Sequence, residues 1–160
     1  MHFSPKQRRV LTWWTSERWE SILCDGAVRS GKTFCMGLSF FLWAQRRFDG
    51  RQFGVCGKTI ASVRRNMLAE VVPCLRRLGM TVRERRSEHA LTVRFGGHEN
   101  TFLLFGGRDE SSAALIQGAT LAGVLLDEAA LMPRSFVEQA CARCSVPGSR
   151  LWLNCNPEGP

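Results

Sequence analysis

The sequence predicts an α/β fold, an open and mostly parallel sheet flanked by helices, from three features. A Gly-rich segment, Gly26-Ala27-Val28-Arg29-Ser30-Gly31-Lys32-Thr33, joins a short apolar run (Ser21-Ile22-Leu23-Cys24) to a long one (Phe34 to Trp43). That is the order strand, tight turn, helix. Strand-like and helix-like patterns then alternate along the chain. A later apolar run, Gly123-Val124-Leu125-Leu126, ends in adjacent carboxylates, Asp127 and Glu128. The carboxyl ends of parallel strands are where such sheets gather ligand groups.

A chain of 160 residues can bury one proper core but not comfortably two. Apolar residues make up 44 % and charged residues 22 %, a globular composition rather than a disordered one. The formal net charge is +8 and arginine supplies nearly all of it, the only lysines being Lys6, Lys32 and Lys58. Guanidinium groups pair with phosphates bidentately, so the surplus suits a polyanionic partner; a solvated basic surface is the plainer reading. Seven cysteines, an odd number spread through apparent strands and helices, read as reduced thiols packed as small hydrophobes in a cytosolic protein. Cys141 and Cys144 form one C-x-x-C pair with no second pair after it, which favours two ordinary helix cysteines over zinc or redox chemistry. No stretch resembles a signal peptide, and no apolar run approaches the ~20 residues that span a bilayer.

In chain order, Ser4-Pro5 is a helix opening, an N-cap followed by proline, and the helix is expected to run to about Glu20 with Trp13, Trp14 and Trp19 as packing residues. Gln7 stands upstream of the Gly-rich segment, where a glutamine can read an adenine edge. Ser21 to Cys24 reads as a short buried strand. Gln52 to Gly57 reads as a second strand, and its ending, Cys56-Gly57-Lys58-Thr59, imitates a phosphate loop without the first glycine, so it is rejected as a second site. Lys58 is either a nucleic-acid contact or a surface lysine. A helix follows, with Ile60, Val63, Met67 and Val71 at helical spacing and Arg64 and Arg65 on another face. From Met80 to Phe105 the pattern turns to β. Leu91, Val93 and Phe95 alternate with Thr92 and Arg94, Gly96-Gly97 turns, and Thr101 to Phe105 reads as a fully buried strand. Arg83-Glu84-Arg85-Arg86 is a solvated loop or a contact to a phosphate backbone.

The chemistry sits at the Gly-rich segment and the acidic strand. Gly26 to Thr33 fits the phosphate-loop pattern at every fixed position, so its backbone N–H groups and the helix N-terminus would cradle phosphates. Lys32 would reach the β- and γ-phosphates, and the Thr33 hydroxyl would ligate Mg²⁺. Asp127 would hold Mg²⁺ through its water shell, and Glu128 would deprotonate the attacking water. Together these predict a P-loop NTPase of the additional-strand (ASCE) type with ATP and Mg²⁺ as cofactors. Arg150 to Leu153 reads as another buried strand, ending in Asn154-Cys155-Asn156-Pro157. Its amides either sense the γ-phosphate or merely close a turn.

The phosphate loop with Arg29 inside it, Phe105-Gly106-Gly107, and Ile116 to Gly123 running into Leu126-Asp127-Glu128-Ala129-Ala130 resemble the large terminase subunit of tailed phages, PBSX type. Arg143-Cys144-Ser145 and Asn154 to Pro160 extend the resemblance over essentially the whole chain. It implies an ATPase motor that packages double-stranded viral DNA into a procapsid, working in the bacterial cytoplasm. It also implies a homo-oligomeric ring with a small terminase subunit and a capsid portal as partners, and no membrane. Arg29 would stabilise the transferring phosphate, Arg108 and Arg143 are candidates for an arginine acting on a neighbour's nucleotide, and Asn154 and Asn156 fall in the coupling motif. Residues 1–160 then correspond to the N-terminal ATPase region, incomplete at its C-terminus. The RNase-H-like nuclease that follows in the family is absent, as in a fragment or truncated gene. Two further readings remain, a helicase-like DNA-dependent ATPase and a truncated nucleotide-binding or assembly module with little catalysis.

Overall fold

The structure, a computed structural model, describes residues 2–26 and 31–155, the side chains of Glu110 and Ser111 excepted. Helix α1 (Pro5–Thr12) opens on a capping box, in which Ser4 Oγ accepts the Gln7 N–H and Gln7 Oε1 accepts the Ser4 N–H. Such a cap is worth about 1 kcal/mol. The helix stops at Thr12 and passes into a short 3₁₀ turn, Trp13–Thr15, instead of reaching Glu20. Tertiary contacts override the local pattern there. Arg150 donates to the carbonyls of Trp14 and Ser16, so the chain leaves the helix to meet it.

Strand β1 (Ser21–Asp25) leads to α2 (Lys32–Arg47), which is almost wholly buried from Cys35 to Gln45. Strand β2 (Gln52–Gly57) leads to α3 (Ile60–Val63), a π turn (Arg64–Leu68) and α4 (Ala69–Arg77). The expected helix is present but continues past Pro73, one turn after the π turn takes up an extra residue. Thr59 caps α3 through a capping box with Ser62, the structural role that replaces the imitation phosphate loop. Strands β3 (Thr81–Arg85), β4 (Ala90–Phe95) and β5 (His98–Gly106) pair antiparallel. Arg83 and Arg85 are therefore strand residues, not loop. Leu91 and Val93 are buried as predicted, but Phe95 lies exposed at the hairpin end. Thr101 and Leu103 are only half-buried, because one face of β5 is thinly covered.

After α5 (Glu110–Gln117) come β6 (Gly123–Leu126), α6 (Arg134–Ala142) and β7 (Arg150–Cys155). The described residues form one seven-stranded sheet in the order β1-β7-β6-β2-β5-β4-β3, parallel from β1 through β5. The last strand in sequence is therefore inserted between the phosphate-loop strand and the acidic strand. Helices cover both faces. On one side α1, α2 and α4 bury an aromatic cluster in which Trp152 of β7 touches Phe40, Trp43 and Trp13. On the other, α5 and α6 lie over Cys56, Phe105, Val124 and Leu126. β1 is an edge strand, so Leu23, expected in a buried strand, is 64 % exposed.

Candidate nucleotide-binding site

The parallel register builds the site. Cys24 of β1 lies beside Asn154 of β7, and Leu126 of β6 lies beside Leu153. One residue further along, Asp127 is brought level with Asn154. Alternation along β7 sends Arg150, Trp152 and Asn154 to the α2 side, with Asn154 only 4 % exposed. There Asn154 Nδ2 donates to Asp127 Oδ1 at 2.7 Å and to Thr33 Oγ1 at 3.2 Å. The strand terminus, the acidic strand and the first turn of α2 thus meet through one amide. Asn154 Oδ1 is buried and has no partner among the described residues.

Lys32 opens α2, and its Nζ donates to the carbonyls of Gly26 and Cys155. Gly31 precedes it at φ +74°, a left-handed conformation that favours glycine. A Cβ there would also come within 3.0 Å of Gln7 Nε2, so α1 sets Gln7 directly against the phosphate loop. Gly26, Gly31, Lys32, Thr33, Gln7, Asp127, Glu128 and Asn154 therefore gather at one end of the sheet. Ala27, Val28, Arg29, Ser30 and Asn156 lie outside the described residues.

Asp127 is 4 % exposed, and its N–H donates to Cys56 O at 2.8 Å. Burial raises its carboxyl above the ordinary range, the Asn154 hydrogen bond opposes that rise, and the neighbouring Glu128 charge adds to it. A hard, buried oxygen donor set of this kind, with a hydroxyl beside it, fits a small divalent cation. Glu128 sits in a left-handed conformation, φ 55° and ψ 44°, at the start of a 3₁₀ turn (Ala129–Leu131). A non-glycine residue held there costs of order 1–3 kcal/mol and is typical of functional positions. Nothing in the residue pattern announced it.

The two arginine candidates lie apart. Arg108 is exposed at the end of the sheet that carries the phosphate loop, its N–H donating to Lys58 O at 3.1 Å. Arg143 follows α6 at the opposite end, where its carbonyl accepts the Leu121 N–H at 2.9 Å. Burial pushes the Cys144 thiol up to about 12 and raises Cys141 as well, which holds both protonated at neutral pH.

Residues 23–149 match the family described as "Terminase large subunit, T4likevirus-type, N-terminal". The large terminase of a thermophilic bacteriophage is 50 % identical with a TM-score of 0.96, covering 100 % of this chain and 40 % of that one. The same phage protein in complex with ADP is 49 % identical with a TM-score of 0.93, covering 99 % and 40 %. The ATPase domain of the Thermus phage P74-26 large terminase shares the fold at 22 % identity and a TM-score of 0.69, covering 100 % and 72 %. The chain thus spans about two fifths of the length of the thermophilic-phage protein. Among curated proteins none matches.

Proposed function

This chain belongs to the large terminase subunit family, and from that premise we propose that it is the ATP-hydrolysing part of a motor that packages double-stranded viral DNA. The observation that carries this reading is the Asn154 amide joining Asp127 and Thr33, three groups drawn from three separate motifs. The thermophilic-phage relative in complex with ADP supports nucleotide as the ligand.

In this reading Lys32 neutralises phosphate charge, while Thr33 and Asp127 hold Mg²⁺. The ion, when bound, would offset the charge of the phosphate oxygens. Asn154 fixes the Asp127 carboxylate and the Thr33 hydroxyl relative to each other. Glu128, held in a left-handed conformation just past the acidic strand, takes a proton from the attacking water. Arg29 and Asn156 are proposed to act on the transferring phosphate and in coupling. Gln7, fixed by its capping box against Gly31, reads the adenine edge. Arg108 shares the nucleotide end of the sheet and is the better placed of the two arginines to serve a neighbouring copy.

The DNA, a ring of copies, a small terminase subunit, a capsid portal and a site of action in the host cytoplasm belong to the same proposal. DNA cleavage is not proposed for residues 1–160. No helix among the described residues is long and apolar enough to cross a membrane. The test is ATP turnover with and without double-stranded DNA, for the unaltered chain, Lys32→Ala and Glu128→Gln. Both variants should lose at least about a hundred-fold in turnover. Unchanged turnover in either would remove that residue from the site.

A further inference from the structure

Arg150, the first residue of β7, is only 6 % exposed and lies at the end of the sheet opposite the phosphate loop. Its Nη1 donates to Trp14 O at 2.8 Å and to Ser16 O at 3.0 Å, and its Nη2 lies 3.3 Å from Glu17 Oε2. The guanidinium also stands 5.5 Å from the centre of the Trp13 ring. Arg47 backs the same segment, pairing with Glu17 Oε1 at 2.8 Å. Trp14 and Ser16 lie in and just beyond the 3₁₀ turn that follows α1, where carbonyls lack partners of their own, and here an arginine from the far end of the sequence supplies them.

The consequence lies at the other end of α1. This helix has eight residues, none of them fully buried, and a helix so short does not hold its own direction. It is held at its flanks. Phe3 stacks on Phe34, and Ser39 Oγ donates to Val10 O at 2.7 Å, while Arg150 clamps the exit at Trp14 to Glu17. Gln7 sits in the first turn, beside Gly31. α1 and β7 are thus two arms joined at Arg150, and each ends at the phosphate loop, one in Gln7 and the other in Asn154.

We propose that Arg150 is a positioning residue for base selection, holding α1 so that Gln7 meets the purine edge. The proposal rests on the reading of Gln7 as the adenine reader. A glutamine amide pairs with adenine through its N6 amine and N7 together, whereas guanine presents O6 where the amine should be, so the preference depends on placement. A small swing of α1 loses the pairing without touching the phosphate contacts.

The test compares binding of ADP, GDP and tripolyphosphate by titration calorimetry on the whole chain, for the unaltered protein, Gln7→Ala, Arg150→Met, Arg150→Lys and Gln7→Ala with Arg150→Met. The unaltered chain should prefer ADP over GDP by about ten-fold or more. Gln7→Ala and Arg150→Met should each remove most of that ratio, the double variant should remove no more than either alone, and Arg150→Lys should restore part of it. Tripolyphosphate should bind all five alike. If Gln7→Ala abolishes the ratio while Arg150→Met keeps it, the positioning role is wrong. If Gln7→Ala keeps the ratio, the base-reading role fails and the proposal with it. If Arg150→Met loses tripolyphosphate binding as well, Arg150 supports the fold in general and not the base.

Discussion

Asn154 lies on β7 and Asp127 directly follows the adjacent parallel strand β6, and the amide of the first is 2.7 Å from the carboxylate of the second. The pair is buried, each residue 4 % exposed, so the hydrogen bond has no competition from bulk water. Replacing Asn154 by Ala takes from a buried carboxylate its side-chain donor and leaves it only the Glu128 N–H, a loss of about 1–3 kcal/mol. It also takes from the Thr33 hydroxyl the amide that holds it toward Asp127. The variant should melt earlier, and its affinity for Mg²⁺-ADP should fall about ten-fold or more. Titration calorimetry with and without Mg²⁺ separates the two effects, and an unchanged Mg²⁺ dependence would remove Asn154 from the metal site.

The Asp127 carboxyl gives the protein a pH dependence of definite sign. Burial raises it above the ordinary value of 3.8, so over the interval between that value and the raised one the native state holds more protons than the unfolded chain. Stability then falls as pH rises through that interval, and stays lower above it. Asp127→Asn removes the titration. It should therefore flatten the melting-temperature profile over that interval and melt above the unaltered chain at neutral pH without Mg²⁺. Added Mg²⁺ should stabilise the unaltered chain and leave the variant unmoved. A variant that melts lower than the parent at every pH would contradict this account.

The groups that carry charge or a hydroxyl were legible in sequence because their chemistry is local. Lys32 and Thr33 follow a glycine pattern, and Asp127 and Glu128 end an apolar run. What was not legible depends on strand order, which a linear pattern does not contain. Ser21 to Cys24 is as apolar as a central strand, yet β1 lies at the sheet edge and Leu23 is exposed. The first helix looked longer than it is because the partner that ends it, Arg150, lies at the far end of the sequence. Asn154 is readable in sequence as a sensor or as a turn, and its place between Asp127 and Thr33 is a product of the strand order.

Gly123 begins the acidic strand under the indole of Trp43. A Cβ there would lie 2.6 Å from two ring carbons and 3.1 Å from the Arg150 carbonyl oxygen. The ring cannot yield, because Trp43 is 1 % exposed and packed among Phe40, Phe48, Phe53 and Trp152. Gly123→Ala should therefore destabilise by about 1–3 kcal/mol through overpacking alone. Thermal melting checks it. Paired with Trp43→Phe, which shortens the ring system, the substitution should cost less than it does alone, a coupling that a purely conformational effect would not show.

Glu128 combines a strained backbone with the proposed proton-accepting role, so its substitutions should split stability from turnover. Glu128→Gln keeps the shape and the left-handed backbone and removes only the base, so turnover should drop by about a hundred-fold or more with little change in melting. Glu128→Asn removes the base as well, but asparagine tolerates φ 55° better than glutamate does. This variant should be equally inactive yet more stable, by up to about 1 kcal/mol, the pattern expected where function holds a residue in an unfavourable conformation. Turnover and thermal melting measured on the same preparations decide the matter. An inactive Glu128→Asn that melts below the parent would mean that the left-handed turn is set by contacts of the glutamate side chain itself, not imposed on it.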